Sequence, residues 1–160
     1  MTSIGRERAA VTPDLPRLET ILLGTDLSPA SAAATELAIE LAVHLQARLL
    51  VVHVFGQPKG IVPLGRSRPV VGRERRATRA QEVVHRARAA GAEATFLVWE
   101  GDPGDGIIEA AASESADMII VGSHGRSSVG RYLLGSVSDY VVHHALCPVL
   151  VVRPREADVE

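Results

Sequence analysis

The chain has one cysteine in 160 residues, Cys147, so no disulfide can close within it and a reducing compartment suits it. Cys147 stands beside Pro148 with no base or metal partner nearby in sequence, and it reads as a small buried hydrophobe. Lysine is just as scarce: Lys59 is the only one, and the other basic side chains apart from histidine are arginines. Net charge is -2 with histidine neutral, which argues against general affinity for nucleic acid or acidic lipid. No apolar run approaches the roughly 20 residues that span a bilayer. Arg6 and Arg8 are not followed by an apolar block, so the start does not read as a secretory signal. No H-E-x-x-H, G-x-S-x-G or cysteine cluster occurs. A cytoplasmic protein with no nucleic-acid and no membrane partner is expected.

What is present is aliphatic and alternating. Hydrophobic residues make up 46% of the chain, a globular composition, and the length suits one domain. Residues 1–17, with Pro13 and Pro16, read as a tail, residues 18–154 as the domain and 155–160 as a second tail. Short apolar runs predict strands at Thr20–Thr25, Leu49–Val54, Glu93–Trp99, Met118–Val121 and Cys147–Val152. Between them, Ala34, Leu37, Ala38, Leu41, Ala42 and Leu45 recur at helical spacing, with Ser28 as expected cap and Pro29 at the first position. Gln57 to Gly72 reads as a basic, irregular loop before a helix that stops at Gly91. Gly101 to Asp105 is a tight turn opening a third helix, and Val137 to Leu146 is the fourth. Five apolar strands alternating with four helices predict an α/β fold, an open, doubly wound parallel sheet with helices on both faces.

One stretch stands apart from this regular pattern. Gly122-Ser123-His124-Gly125 follows a predicted strand, and nine residues later Gly135-Ser136 opens a helix. Glycines there let a ligand approach backbone that a Cβ would block. The first N–H groups of a helix lack intrahelical partners and, with the helix dipole, favour an anion such as phosphate. There is no G-x-x-x-x-G-K-[ST]: Gly125 to Gly130 has the right gap, but Arg131-Tyr132 follows. Phosphate charge must then be met by backbone N–H groups, Ser136, Ser138 and Arg126. Asp26, beside Thr25 at the end of the first strand, is suited to accept from ribose hydroxyls. His143 and His144 are adjacent and diverge on a helix, which makes them poor joint metal ligands and predicts surface positions.

These residues resemble the universal stress protein family. Gly122, Gly125, Gly135 and Ser136 meet its G-x2-G-x9-G-[ST] pattern. Asp26 and Ser28, His53-Val54 and the Cys147 to Val152 segment match further features, so that the resemblance spans residues 20–154. It implies a Rossmann-like sheet in the order 3-2-1-4-5, ATP as ligand with Mg²⁺ carried on its phosphates, a role in stress tolerance and a dimer. It also implies that Asp26 contacts ribose and the Val54 backbone meets adenine. Val121 and Gly122 would lie by the sugar, and Gly125, Gly135, Ser136 and Val137 at the phosphates. In the implied order Val149 to Val152 is an edge strand, the expected site of pairing with a second copy. An adenylating enzyme on a similar fold would show S-G-G-x-D-S after the first strand, where this chain reads Gly24-Thr25-Asp26-Leu27-Ser28. The expectation is a nucleotide-dependent regulator with no catalytic residue and little or no hydrolysis.

Overall fold

A computed structural model describes residues 17–55, 71–123 and 134–154. Its strands are β1 (Thr20–Gly24), β2 (Arg48–Phe55), β3 (Ala94–Glu100), β4 (Met118–Gly122) and β5 (Val149–Val152). The helices are α1 (Ala32–Leu45), α2 (Val71–Ala89), α3 (Pro103–Ser113) and α4 (Ser136–His144), with a single 3-10 turn at Pro29–Ser31 before α1. All strand pairs are parallel and the sheet order is β3-β2-β1-β4-β5. The fold and strand order are those expected.

Alternation along the strands builds two cores. Ile21, Leu23, Leu49, Val51 and Ile120 face α1 and α2, meeting Ala34, Ala38, Ala42, Val83, Val84 and Ala87. Leu22, Val52, Val54, Ile119 and Val121 face α3 and α4, meeting Ile107, Ala110, Ala111 and Val141. Central β1 is buried along its whole length, which is why it carries no polar alternation. Small alanines on the helices let them lie close to the branched strand residues.

The two ends of the sheet are built differently. At the strand starts, Asp117 Oδ2 accepts from the N–H groups of Glu19 and Thr20, both at 2.9 Å, and so ties the entry of β4 to that of β1. At the strand ends the chain departs by turns. Leu27 takes a left-handed φ of 60°, a conformation costing a non-glycine residue about 1–2 kcal/mol.

Several boundaries differ from expectation. α2 starts at Val71, inside the predicted loop; residues 56–70 of that loop lie outside the described residues. α4 stops at His144, so Leu146 is 98% exposed instead of completing a helical stripe. β5 starts at Val149, and Cys147 is only partly buried; desolvation still pushes its thiol pKa up. His143 and His144 are both exposed, as expected, and the His144 ring stacks on Tyr140 at 3.9 Å.

Candidate functional site

β1 and β4 are neighbours whose following helices pack on opposite faces, α1 on one and α4 on the other. Connections that diverge in this way open a crevice beyond the strand C-termini. The described site residues converge on that end: Thr25 and Asp26 after β1, Val54 near the end of β2, Val121 and Gly122 ending β4, and Gly135 to Ser138 opening α4. Gly125 and Arg126 lie outside the described residues.

The α4 start is tied to β4 by the Gly135 N–H, which donates to Ser123 O at 2.6 Å. Gly135 is the N-cap and has no side chain to offer the helix. The first helical bond runs from Asp139 N–H to Gly135 O at 2.9 Å. The N–H groups of Ser136, Val137 and Ser138 therefore have no intrahelical acceptor. The Ser138 hydroxyl, expected at a phosphate, is corrected by the structure. It is 2% exposed and directed to Gly135 O at 2.9 Å and Ser123 O at 3.2 Å, so it braces the loop closure.

The Ser28 cap is corrected in a different way. Ser28 was expected to cap the following helix, but its side chain makes no cap bond. Instead Ser28 N–H and Oγ both donate to Asp26 Oδ1, at 2.9 and 2.6 Å. A carboxylate is the stronger acceptor, so the Ser28 hydroxyl donates to it instead. Asp26 thus organises its own turn through Oδ1, leaving Oδ2 with no hydrogen bond among the described residues. Thr25 is buried, with Oγ1 accepting from Leu27 N–H at 3.0 Å and bonded to Ser31 Oγ at 3.0 Å.

At β2 the ladder to β1 ends with Thr25 N–H donating to Val52 O at 3.0 Å. Two residues on, the Val54 N–H and C=O point to the same side, past the point where β1 has turned away. No described backbone group pairs with them there. The Val54 side chain packs beneath α3, where a Cβ on Gly106 would lie only 2.7 Å from Val54 Cγ1. Glycine at 106 is what lets the start of α3 come this close.

Three recognition elements thus share one crevice: open helix N–H groups for an anion, a carboxylate oxygen for hydroxyls, and a backbone donor and acceptor side by side for the edge of a flat heterocycle. Residues 17–153 match the universal stress protein family. The chain belongs to that family. A universal stress protein from Thermus aquaticus is 40% identical over 139 residues, covering 84% of this chain and 98% of the relative. One from Mycolicibacterium smegmatis is 35% identical over 152 residues, covering 94% of this chain; the chain spans 50% of that longer relative. Among solved structures, UspA from Lactobacillus plantarum superposes with a TM-score of 0.71 at 26% identity, covering 86% of this chain and 99% of its own. A universal stress protein in complex with cAMP superposes with a TM-score of 0.67 at 28% identity, covering 88% of this chain and 100% of its own.

The sequence motif pointed to the glycines and to Asp26, but not to what Thr25 and Ser138 do. Nor did it disclose the hydrogen bond from His53 Nδ1 to Thr25 O at 2.9 Å, which joins residues 28 positions apart. The adjacency of His53 to Val54 was the available signal. Among the described residues there is no cluster of three or more metal-ligating side chains, and no helix long and apolar enough to cross a membrane.

Proposed function

We propose that this universal stress protein binds ATP in the crevice between β1 and β4 and acts as a nucleotide-dependent stress-response regulator with little or no hydrolysis. The observation that carries the reading is the set of backbone groups without partners among the described residues at one end of the sheet: the first N–H groups of α4 and the Val54 N–H and C=O. Adenine would meet Val54, the ribose Asp26 Oδ2 and the sugar side Thr25, Val121 and Gly122. The phosphates would meet Gly135, Ser136 and Val137 with the Ser138 N–H, joined by Gly125 and Arg126. Mg²⁺ would be carried on the phosphates. The cAMP bound by a relative 28% identical is an adenine nucleotide, which supports the base assignment. Slow or absent turnover follows from the lack of a phosphate-loop lysine and from the assignment of Asp26 to the ribose, since phosphoryl transfer relies on charge placed at the phosphates and an oriented nucleophile. The domain boundaries 18–154 and a cytoplasmic location belong to the same reading.

A homodimer through β5 completes it. β5 pairs with β4 on one side only. Pro148 O and Val152 O are in the β4 ladder, so the N–H groups of Val149 and Val151 point outward. Leu146 and Val142 add exposed apolar surface nearby, at 98% and 43%. Val151→Pro removes an outward donor and should convert a dimer to monomer in light scattering; a wild-type monomer at all concentrations excludes this interface.

Isothermal titration with ATP tests the central reading. Wild type should bind, and a folded Gly122→Val/Gly135→Val variant should bind at least about 100-fold more weakly, because each Cβ stands where backbone must approach the ligand. Unchanged affinity in the folded variant overturns it. Turnover at the roughly 1–100 s⁻¹ of kinases would overturn the regulatory class.

A further inference from the structure

We propose that His53 is a positioning residue that holds the Val54 amide open for the adenine edge by keeping the Thr25 carbonyl out of the sheet ladder. The inference rests on the nucleotide reading of the crevice. In a parallel pair, every second residue directs both its N–H and its C=O to the same neighbour. On β2 the even-numbered residues face β1: Arg48 N–H donates to Glu19 O at 2.8 Å, and Val52 O accepts from Thr25 N–H at 3.0 Å. The odd-numbered ones face β3: Leu49 N–H donates to Glu93 O at 2.7 Å, and Phe55 O accepts from Gly101 N–H at 3.1 Å. An uninterrupted ladder would next carry the Val54 N–H to Thr25 O. That acceptor instead takes the His53 imidazole at 2.9 Å. A carbonyl only accepts, so Nδ1 carries the proton.

The surroundings hold this substitution in place. The His53 ring is 4% exposed and stands edge-on to Phe55, with centroids 4.8 Å apart and planes at 83°. Thr25 is fixed from the other side by its bonds to Ser31 and Leu27, and Leu27 at φ 60° carries the chain away from β2. Val54 is held by its packing against Gly106. A donor and an acceptor from one residue, pointing the same way, match the N1 acceptor and N6 amino donor that adenine presents side by side. Guanine presents the reverse order on that edge, an N–H beside a carbonyl. His53 thereby sets base selectivity without touching the base.

The test combines amide hydrogen exchange of nucleotide-free, ¹⁵N-labelled protein with titrations of ATP and GTP. In wild type, Val54 should exchange more than about tenfold faster than Val52, whose ladder is intact, and ATP should bind about tenfold or more tighter than GTP. His53→Leu keeps bulk and removes the donor. Thr25 O should then return to the Val54 N–H, slowing its exchange by about tenfold and weakening ATP by a similar factor, while GTP affinity hardly moves. His53→Asn, whose side-chain N–H reaches about the place of Nδ1, should restore both readouts. A histidine that merely supports the fold would weaken ATP and GTP together and leave Val54 exchange fast; that result overturns the proposal. Should His53→Leu not fold, the wild-type exchange of Val54 and the behaviour of His53→Asn decide. Wild type that binds ATP with Val54 as protected as Val52 overturns this inference alone. Wild type that binds no nucleotide overturns the site reading and the role of His53 with it.

Discussion

Helices α3 and α4 pack on the same face of the sheet, with the first turn of α3 against Tyr140 of α4, yet their first turns are built in different ways. α3 is capped from within: Asp102 accepts from Gly104 N–H at 3.0 Å, Pro103 has no N–H to satisfy, and Asp105 adds a carboxylate to the first turn. α4 begins at Gly135 with nothing from its own side chain at the cap. The two are joined where the Tyr140 hydroxyl donates to the Asp105 carboxylate. Both first turns hold a carboxylate, Asp105 in α3 and Asp139 in α4, so the difference lies at the cap: a start whose N–H groups are served by its own cap has little left for a ligand, and one begun by glycine keeps those donors. On the proposed reading this difference separates a structural helix from a binding one, although each is introduced by glycines.

The comparison can be broken by exchanging the caps. Gly135→Asp should give α4 the arrangement of α3. Its carboxylate takes the N–H groups meant for phosphate and repels the anion, so ATP affinity in titration calorimetry should fall by about 100-fold or more, while helix stability changes by only a few tenths of a kcal/mol. Unchanged affinity would show that the phosphates do not sit at α4. The contact between the helices is the next point of attack. A Cβ on Gly104 would stand 2.6 Å from Tyr140 Cδ1, and the ring has the Asp105 bond and the His144 stack to hold it. Gly104→Ala should cost about 1–3 kcal/mol in denaturant unfolding by overpacking; a neutral or stabilising result would mean that α3 and α4 shift apart freely.

A milder change sharpens the contrast. Asp102→Ala should lower unfolding free energy by about 1 kcal/mol through loss of the cap, with ATP affinity within twofold of wild type. A large loss of affinity would place the ligand at α3 instead. The smallest effect concerns pH. The hydrogen bond to Asp105 holds the Tyr140 pKa above its ordinary 10.0, with desolvation and the charges of Asp105 and Asp102 acting the same way. Because the folded pKa is the higher one, the contribution is complete below the unfolded value and is lost as pH rises through the folded one. Melting temperature should therefore drop more steeply above pH 10 for wild type than for Tyr140→Phe; parallel curves would show that the bond contributes nothing in solution.

Much of the architecture was legible because its signals are local. β1 and β2 are continuous apolar runs, and only a strand covered on both faces has that pattern. The stop of α2 at Gly91 needs a left-handed residue, and φ there is 101°. The other left-handed helix ends were not legible, because Gln46 and Ser115 adopt φ of 54° and 52° without the glycine that usually announces them. The glycine motif marked the end of β4 and the start of α4, which is where the proposed site lies. Hydroxyls were harder to place: Ser138 is directed to two carbonyls, Thr25 is bonded to Ser31 and Leu27, and Ser28, expected as a cap, donates to the Asp26 carboxylate.

The sequence by itself determined the alternation of strands and helices, the two apolar faces of the sheet and the glycines at the end of β4 and the start of α4. Each of these depends on residues a few positions apart, through periodicity or the missing Cβ. Only the tertiary structure decided which polar groups remain open. Whether the Val54 N–H meets a carbonyl depends on His53 reaching Thr25 from another strand. Whether α4 is capped depends on Ser138 and Gly135 turning to β4. Asp117 likewise clamps Thr20 across 97 positions. A hydrogen bond has one short range and one direction, and it is assigned only when folding has brought every competing partner into place.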